Sequence, residues 1–416
     1  MNNAPLNQVE LAPPIPSKFD VIPIHASDAA TFKRCRRRWQ WSSPMNMNLT
    51  GKVSQMGVVM PLWFGTGIHY GASQYYDPRF QRDPVEAFVS WFDIVWRGGI
   101  VDEHGLELSY DREPKPYLSP AQSGMMWQVR GLYDLLADPI EEDFEEHKEL
   151  GIKMLQFYRE YAKKNDNFRV IAAEHTFSVP VTHPTTGEVM RAIDPRDGIE
   201  KEVHARGTQD AIIQTDQGLY GILEHKSAVD ISEGYFDKLD KDEQCTRYLW
   251  AAQKEAELHG LAYKKLHYVL YNAIRKTYPK PPTPIGKDGL MFSIDRSKES
   301  TTIEMIEQFI KERNIGLVIA NDEKRQNYMD YVRHAGDDQF IERRLVTRNQ
   351  HEIQSCGERV WMEAMDMLAP DLRIYPNPTG DWACLKCAFR GPCIAKDDGS
   401  DWQQILNDNY ELNKGR

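Results

Sequence analysis

The sequence predicts an α/β fold, a central mixed β-sheet flanked by helices, and three observations carry that reading. The stretch GTQDAIIQTDQGLYGILEHKS, Gly207 to Ser227, holds two runs rich in β-branched and aromatic residues around Asp216-Gln217-Gly218, which is hairpin chemistry. A strand-like run, FRVIAAEHTFSVPV from Phe168 to Val181, precedes it, and another, KLHYVLYNAI from Lys265 to Ile274, follows a helical pattern. The order is therefore helix, three strands, helix, strand. At 416 residues, 41% hydrophobic and 27% charged, the chain has a globular composition, with length for two or three domains or one core with large insertions.

Residues 1–23, with their prolines and asparagines, read as a flexible leader without the basic and apolar regions of a signal peptide. No apolar run approaches the ~20 residues that cross a bilayer. The expected location is cytoplasmic, where structural disulfides among the six cysteines are not expected. A net charge of −11 excludes a general duplex-coating protein and leaves room for a local basic groove.

Ser27-Asp28 offers a cap for AATFKRCRRRWQW, a basic helix that carries Cys35. FGTGIHYGASQYY, Phe64 to Tyr76, reads as the start of a helix; its glycines miss the dinucleotide-binding spacing, and His69 needs partners before it counts as a ligand. Asp83 caps a helix reaching Trp96, with Pro84 in its first turn. From Arg97 to Leu118 the chain is polar and broken by Gly98-Gly99, Pro114 and Pro116. Ser119-Pro120 then opens a helical run to Lys164, on which Glu141, Glu142, Glu145 and Glu146 form a solvated face. After the hairpin, a helix from about Asp237 to His259 puts Gln244 and Tyr248 on one face. The loop Tyr278 to Gly289 leads to helices around Thr302 to Met329 and Asn349 to Met367.

The hairpin also carries chemistry. A three-residue turn with Gly218 in the left-handed region sets Thr215 opposite Leu219 and Asp210 opposite Glu224. Lys226, two residues beyond Glu224, projects to the same face. Two carboxylates held together repel unless a cation lies between them, and oxygen ligands suit Mg²⁺ or Mn²⁺. A salt-bridged surface hairpin is the other reading, disfavoured by Ile212, Ile213, Ile222 and Leu223 alongside. On this logic, removing Asp210 relieves repulsion and leaves stability intact.

The second signal is DWACLKCAFRGPC, where Cys384, Cys387 and Cys393 have metal-ligand spacing. Three thiolates need a fourth. Cys35 is the first candidate, ahead of Cys245 and Cys356. An iron-sulfur cluster, zinc and inert thiols all remain open on spacing alone.

His69, Gly207 to Asp210, Glu224-His225-Lys226, Gln244 to Tyr248 and the one-plus-three cysteines resemble, in kind and order, the PD-(D/E)XK nuclease superfamily. The resemblance is to its RecB-like branch of CRISPR-associated exonuclease-like and AddB-like nucleases, which carry a four-cysteine iron-sulfur cluster. Arg36 stands where a proline often follows the first cysteine, and Pro392 precedes the last cysteine instead of following it.

That resemblance implies a restriction-endonuclease-like core at 166–275. Residues 24–80 would be an N-terminal helical segment, 81–165 a helical insertion, 276–380 a helical region and 381–416 the cluster segment and tail. It implies a metal-dependent DNA exonuclease of recombination, repair or replication, viral settings included, acting on single-stranded DNA or free ends. His69, Asp210, Glu224 and the His225 carbonyl would hold one or two Mg²⁺ or Mn²⁺ ions, with Lys226 beside the attacking water and Gln244 and Tyr248 positioning the site. Cys35, Cys384, Cys387 and Cys393 would hold a 4Fe–4S cluster clamping the two ends of the fold. The alternative is a catalytically dormant DNA-binding or scaffold protein, against which the intact Asp210, Glu224 and Lys226 speak.

Overall fold

The structure, a computed structural model, describes residues 16–17, 20–51, 60–96, 100–101, 107–108, 138–263, 265–377 and 382–413. Among them, seven strands form one mixed sheet: β1 (Ile22–His25), β2 (Phe168–Pro180), β3 (Arg191–Ile193), β4 (Glu200–Thr215), β5 (Tyr220–Ala228), β6 (Leu266–Arg275) and β7 (Ile341–Thr347). β4 is the spine. β2 runs antiparallel along one edge of it, from Phe168 opposite Thr215 to Pro180 opposite His204, and β3 pairs its first residues. The other edge is shared. β1 lies parallel to Val203–Arg206, and β5 lies antiparallel to Ala211–Gln214. Residues 207–210 of β4 therefore have no ladder partner on that edge among the described residues, and the sheet forks there. β6 continues parallel beside β5, and β7 closes the far edge antiparallel to β6.

The hairpin turn follows from its sequence. Gly218 takes φ +81°, the Thr215 N–H donates to the Leu219 carbonyl at 2.9 Å, and the ladder pairs Ala211 with Leu223 and Ile212 with Ile222. Side chains alternate across the sheet. Ile212 and Ile222 enter one apolar layer with helices α1 (Ala26–Arg34), α2 (Arg36–Ser42), α6 (Glu243–His259) and α7 (Gln350–Met367). Ala211, Ile213 and Leu223 enter the other, with α3 (Met60–Tyr76), α4 (Pro84–Trp96) and α5 (Asp138–Asn165). Capping is as expected at Asp83, and a second cap, not read from the sequence, is found at Asn349. Asp83 Oδ1 accepts the Val85 N–H at 2.9 Å, and Asn349 with Glu352 forms a reciprocal capping box before α7.

Four features depart from the pattern reading. Ile22–His25 is a strand at the sheet edge, where Pro23 is tolerated, and Ile22 and Ile24 are fully buried. The basic helix is two helices, because Cys35 is extended at φ −163° and ψ 112°; the Ser27-Asp28 cap is not used, and Asp28 instead accepts from Ser43 Oγ at 2.8 Å. The helix read from Asp237 starts at Glu243, with Asp242 capping the Cys245 N–H at 2.8 Å; a short helix and a 3₁₀ turn precede it. β7 was not anticipated. The helix start at Ser119-Pro120 and the stretch 109–118 lie outside the described residues. None of the described helices is long and apolar enough to cross a membrane.

Candidate active site in the fork of the sheet

Asp210 is the last residue of β4 before the ladder to β5 begins. Its Oδ2 accepts the His225 N–H at 2.6 Å, so a side chain makes the bond that a strand partner would otherwise make. His69, on α3, brings Nδ1 to 3.7 Å from the same oxygen. Glu224, across the fork on β5, is 2% exposed. Its Oε1 accepts from Gln244 Nε2 at 3.0 Å and from the Lys226 ammonium, while Oε2 is buried without a hydrogen-bond partner. Gln244 also donates to the Tyr248 hydroxyl at 2.9 Å, as the four-residue spacing on α6 requires.

His225 contributes only its main chain. Its ring turns to the far side of β5, stacks on Tyr76 with centroids 5.4 Å apart, and places Nδ1 2.8 Å from Asn272 Nδ2. Burial pushes the ring down to about 3, so it is neutral. Arg343 on β7 closes this buried network, donating to Asn272 Oδ1 at 2.9 Å and pairing with Asp166 at 2.7 Å.

Glu174 on β2 was not anticipated as a site residue. It falls between the pairs Ala173–Ala211 and His175–Gln209, hence opposite Asp210, and has φ +47°, a conformation that non-glycine residues seldom adopt in a strand. Alternation on β4 breaks at the same level. Gln209 faces α6, donating to the Tyr248 carbonyl at 3.0 Å, yet Ala211 lies in the α3–α5 layer. Ser73 on α3 and Asp77, just past its C-terminal end, lie near enough to act on Glu174, four and eight residues beyond His69. The sequence held two signals for them: the one carboxylate of its strand, and His, Ser and Asp at helical spacing.

The charges are unbalanced. Burial first, then the Asp210 charge, pushes Glu224 up to about 8; burial, then Asp210 and Glu224, does the same to Glu174. Asp210 goes the other way. Burial opposes its ionisation, but the neighbouring His69 and the Lys226 ammonium hold it well below the usual carboxylate range. Lys226 is raised by Glu224 and Asp210 in spite of burial. Removing Asp210 would thus take away a favourable interaction, contrary to the expectation that its loss relieves repulsion.

The model of one protein family matches residues 24–394, the PD-(D/E)XK nuclease superfamily. The chain belongs to that superfamily. Among curated proteins it finds no match. Members of this superfamily are usually nucleases and commonly use Mg²⁺ or Mn²⁺, and the donors in the fork fit a hard cation: clustered carboxylates, one with a buried, unpartnered oxygen. As they stand, no three His, Cys, Asp or Glu side chains among the described residues are arranged as a metal site, and the Lys226 ammonium supplies the positive charge beside Glu224.

The same holds for the cysteines. Cys35 sits in the break between α1 and α2. Burial raises the Cys387 thiol, with the neighbouring Cys35 and Cys393 adding to it; Cys393 Sγ accepts from Arg37 at 3.4 Å, and the Cys384 carbonyl accepts the Cys387 N–H at 3.2 Å. All four are half-buried, while Cys245 and Cys356 are buried in the apolar layer beside α6 and α7. Trp41, Phe389, Leu406 and Tyr410 pack around Cys387 and Cys393 in a small core of their own.

Proposed function

We propose that this chain is a metal-dependent DNA exonuclease hydrolysing phosphodiester bonds from DNA ends in recombination, repair or replication, with Asp210, Glu224 and Lys226 as its catalytic residues. The observation that carries the reading is the fork in the sheet, where Asp210, Glu224 and Lys226 meet with one Glu224 oxygen left unpartnered in a buried place. His69, Asp210, Glu224 and the His225 carbonyl, with Glu174 added to the set read from the sequence, would hold one or two Mg²⁺ or Mn²⁺ ions. When bound, the ion polarises the scissile phosphate and makes water a stronger nucleophile at neutral pH.

The chain's own groups do the positioning. Gln244, anchored by Tyr248, fixes Glu224; the His225 amide fixes Asp210; and Lys226, held beside Glu224, would donate to the attacking water or to a phosphate oxygen. Single strands or free ends are the proposed substrate. Cys35, Cys384, Cys387 and Cys393 are the proposed ligands of a 4Fe–4S cluster of the RecB-like kind, a reading that rests on their spacing and on Cys35 and Cys393 lying near Cys387.

The test is degradation of end-labelled single- and double-stranded DNA with Mg²⁺, Mn²⁺ or EDTA. Asp210→Ala, Glu224→Ala and Lys226→Ala should each lower the rate by orders of magnitude in folded protein. Full activity in EDTA would refute the carboxylate mechanism.

A further inference from the structure

A second feature lies at the other side of the fork, where β1 ends and α1 begins. A cavity of about 470 Å³ opens there, lined by Arg206 and Thr208 of β4, by Gln244, Arg247 and Tyr248 of α6, and by the N-terminal end of α1, which carries partial positive charge. Thr208 is two residues, ~7 Å, before Asp210 along the strand, and Gln244 reaches from the cavity rim to Glu224.

The charges in this cavity are incompletely matched. Arg247 is 4% exposed; it pairs with Glu363 through Nη2, but its buried Nη1 has no hydrogen-bond partner. Arg206 makes no side-chain hydrogen bond or ion pair among the described residues, and its Nη1 is also buried and unpartnered. Burial, and then the nearby Arg196, disfavours its charge. Glu243 is the carboxylate on the wall among the described residues, and it is paired with Lys33. Asp28, in the first turn of α1, is turned to Ser43. Two guanidinium groups line one cavity, each with a donor that the fold leaves without an acceptor, and such a pair favours an anion beside it.

We propose that this cavity binds a phosphate of the nucleic-acid strand, next to the one being cut. The inference rests on the nuclease reading and adds the subsite that holds the strand in register. Arg206 and Arg247 donate to the phosphate oxygens, and α6, which carries both Arg247 and Gln244, links strand binding to the placement of Glu224. The phosphate is either an internal diester or a terminal monoester.

The experiment measures binding in EDTA, where cleavage does not intrude, by anisotropy of labelled oligonucleotides of one sequence: unphosphorylated, 5′-phosphorylated and 3′-phosphorylated. Arg206→Met should weaken binding at least tenfold and reduce the slope of log affinity against log salt by about 0.7. A loss for all three oligonucleotides identifies an internal diester, and a loss confined to one phosphorylated form identifies that terminal phosphate. Thr208→Glu keeps both arginines, adds negative charge to the cavity and should give the same loss, so the result does not hang on one variant folding. Wild-type affinity and salt slope in both variants would overturn the cavity and leave the nuclease reading intact. Failure of the wild-type chain to bind any oligonucleotide would overturn both.

Discussion

Gly207 is the glycine of the strand motif, and the structure gives it a steric task that can be measured. A Cβ built there would lie 2.8 Å from Cζ and 3.0 Å from Cε1 of Phe177, and 3.5 Å from Cε1 of Tyr248. Phe177 is 1% exposed and meets Tyr248 edge to face with centroids 6.0 Å apart, so it can retreat only against the residue whose hydroxyl accepts from Gln244. Gly207→Ala should therefore cost roughly 1–3 kcal/mol by overpacking. It should also lower cleavage, because displacing Tyr248 loosens the Gln244 hold on Glu224. Phe177→Leu alone should cost about 1–1.5 kcal/mol by underpacking. In the double variant the smaller side chain makes room for the new methyl group. Urea unfolding of all four proteins should then show a coupling of about 1 kcal/mol or more in the favourable direction, with part of the activity restored. A neutral Gly207→Ala, or strictly additive costs, would refute the steric account.

Other predictions follow from charge and from the cysteines. The Glu224 carboxyl is raised to about 8, so its contribution to stability is whole below its ordinary value near 4.5 and is lost as pH rises through about 8. In EDTA, Glu224→Gln should lack part of that loss, and unfolding curves that fall in parallel for both proteins would exclude it. Asp210 has the opposite shift, so Asp210→Asn should be less stable than wild type at neutral pH by the same assay. Asp194 is fully buried, accepts from Arg196 Nε at 2.9 Å and Lys201 Nζ at 2.8 Å, and is held well below its ordinary value against the cost of burial. It stabilises the fold above the ordinary carboxylate range and less as pH falls through and below it; Asp194→Asn should flatten that acid limb, as thermal melts at pH 3 to 6 would reveal. Protein purified without oxygen should be brown with equal iron and sulfide, and Cys387→Ala should lose the colour and melt lower; colourless wild-type protein containing zinc would exclude the iron-sulfur reading.

Local chemistry was legible wherever neighbours in sequence decide the outcome. Asp216-Gln217-Gly218 sets the hairpin register because the turn fixes which residues face each other, and alternation along β5 puts Glu224 and Lys226 on one face. Asp83 and Asn349 mark helix starts because their side chains bond N–H groups two or three residues on. Gln244 and Tyr248 meet because helical spacing leaves them adjacent. The helix–strand order around the hairpin, from α5 through β6, and the motifs by which the chain resembles its superfamily were likewise written in the sequence.

What the sequence left undecided are the places where distant segments compete for one position. The break at Cys35 interrupts a good helical pattern, in a segment whose Trp41 packs with Phe389 and Tyr410 from the far end of the chain. β7 carries Arg343 and Arg344 in its centre and lacks strand patterning, but Arg343 is held by Asp166 and Asn272 from two other elements. Glu174 looked like a strand residue with no assigned task until the pairing of β2 with β4 set it opposite Asp210. The fork itself exists because β1 and β5 share one edge of β4 and leave residues 207–210 between them, which no local pattern encodes. Sequence determined the local geometry of the motifs, since turn, cap and helical spacing act over a few residues. Tertiary structure alone decided which of them are buried, unpaired and close to one another, because those properties come from contacts between segments far apart in the chain.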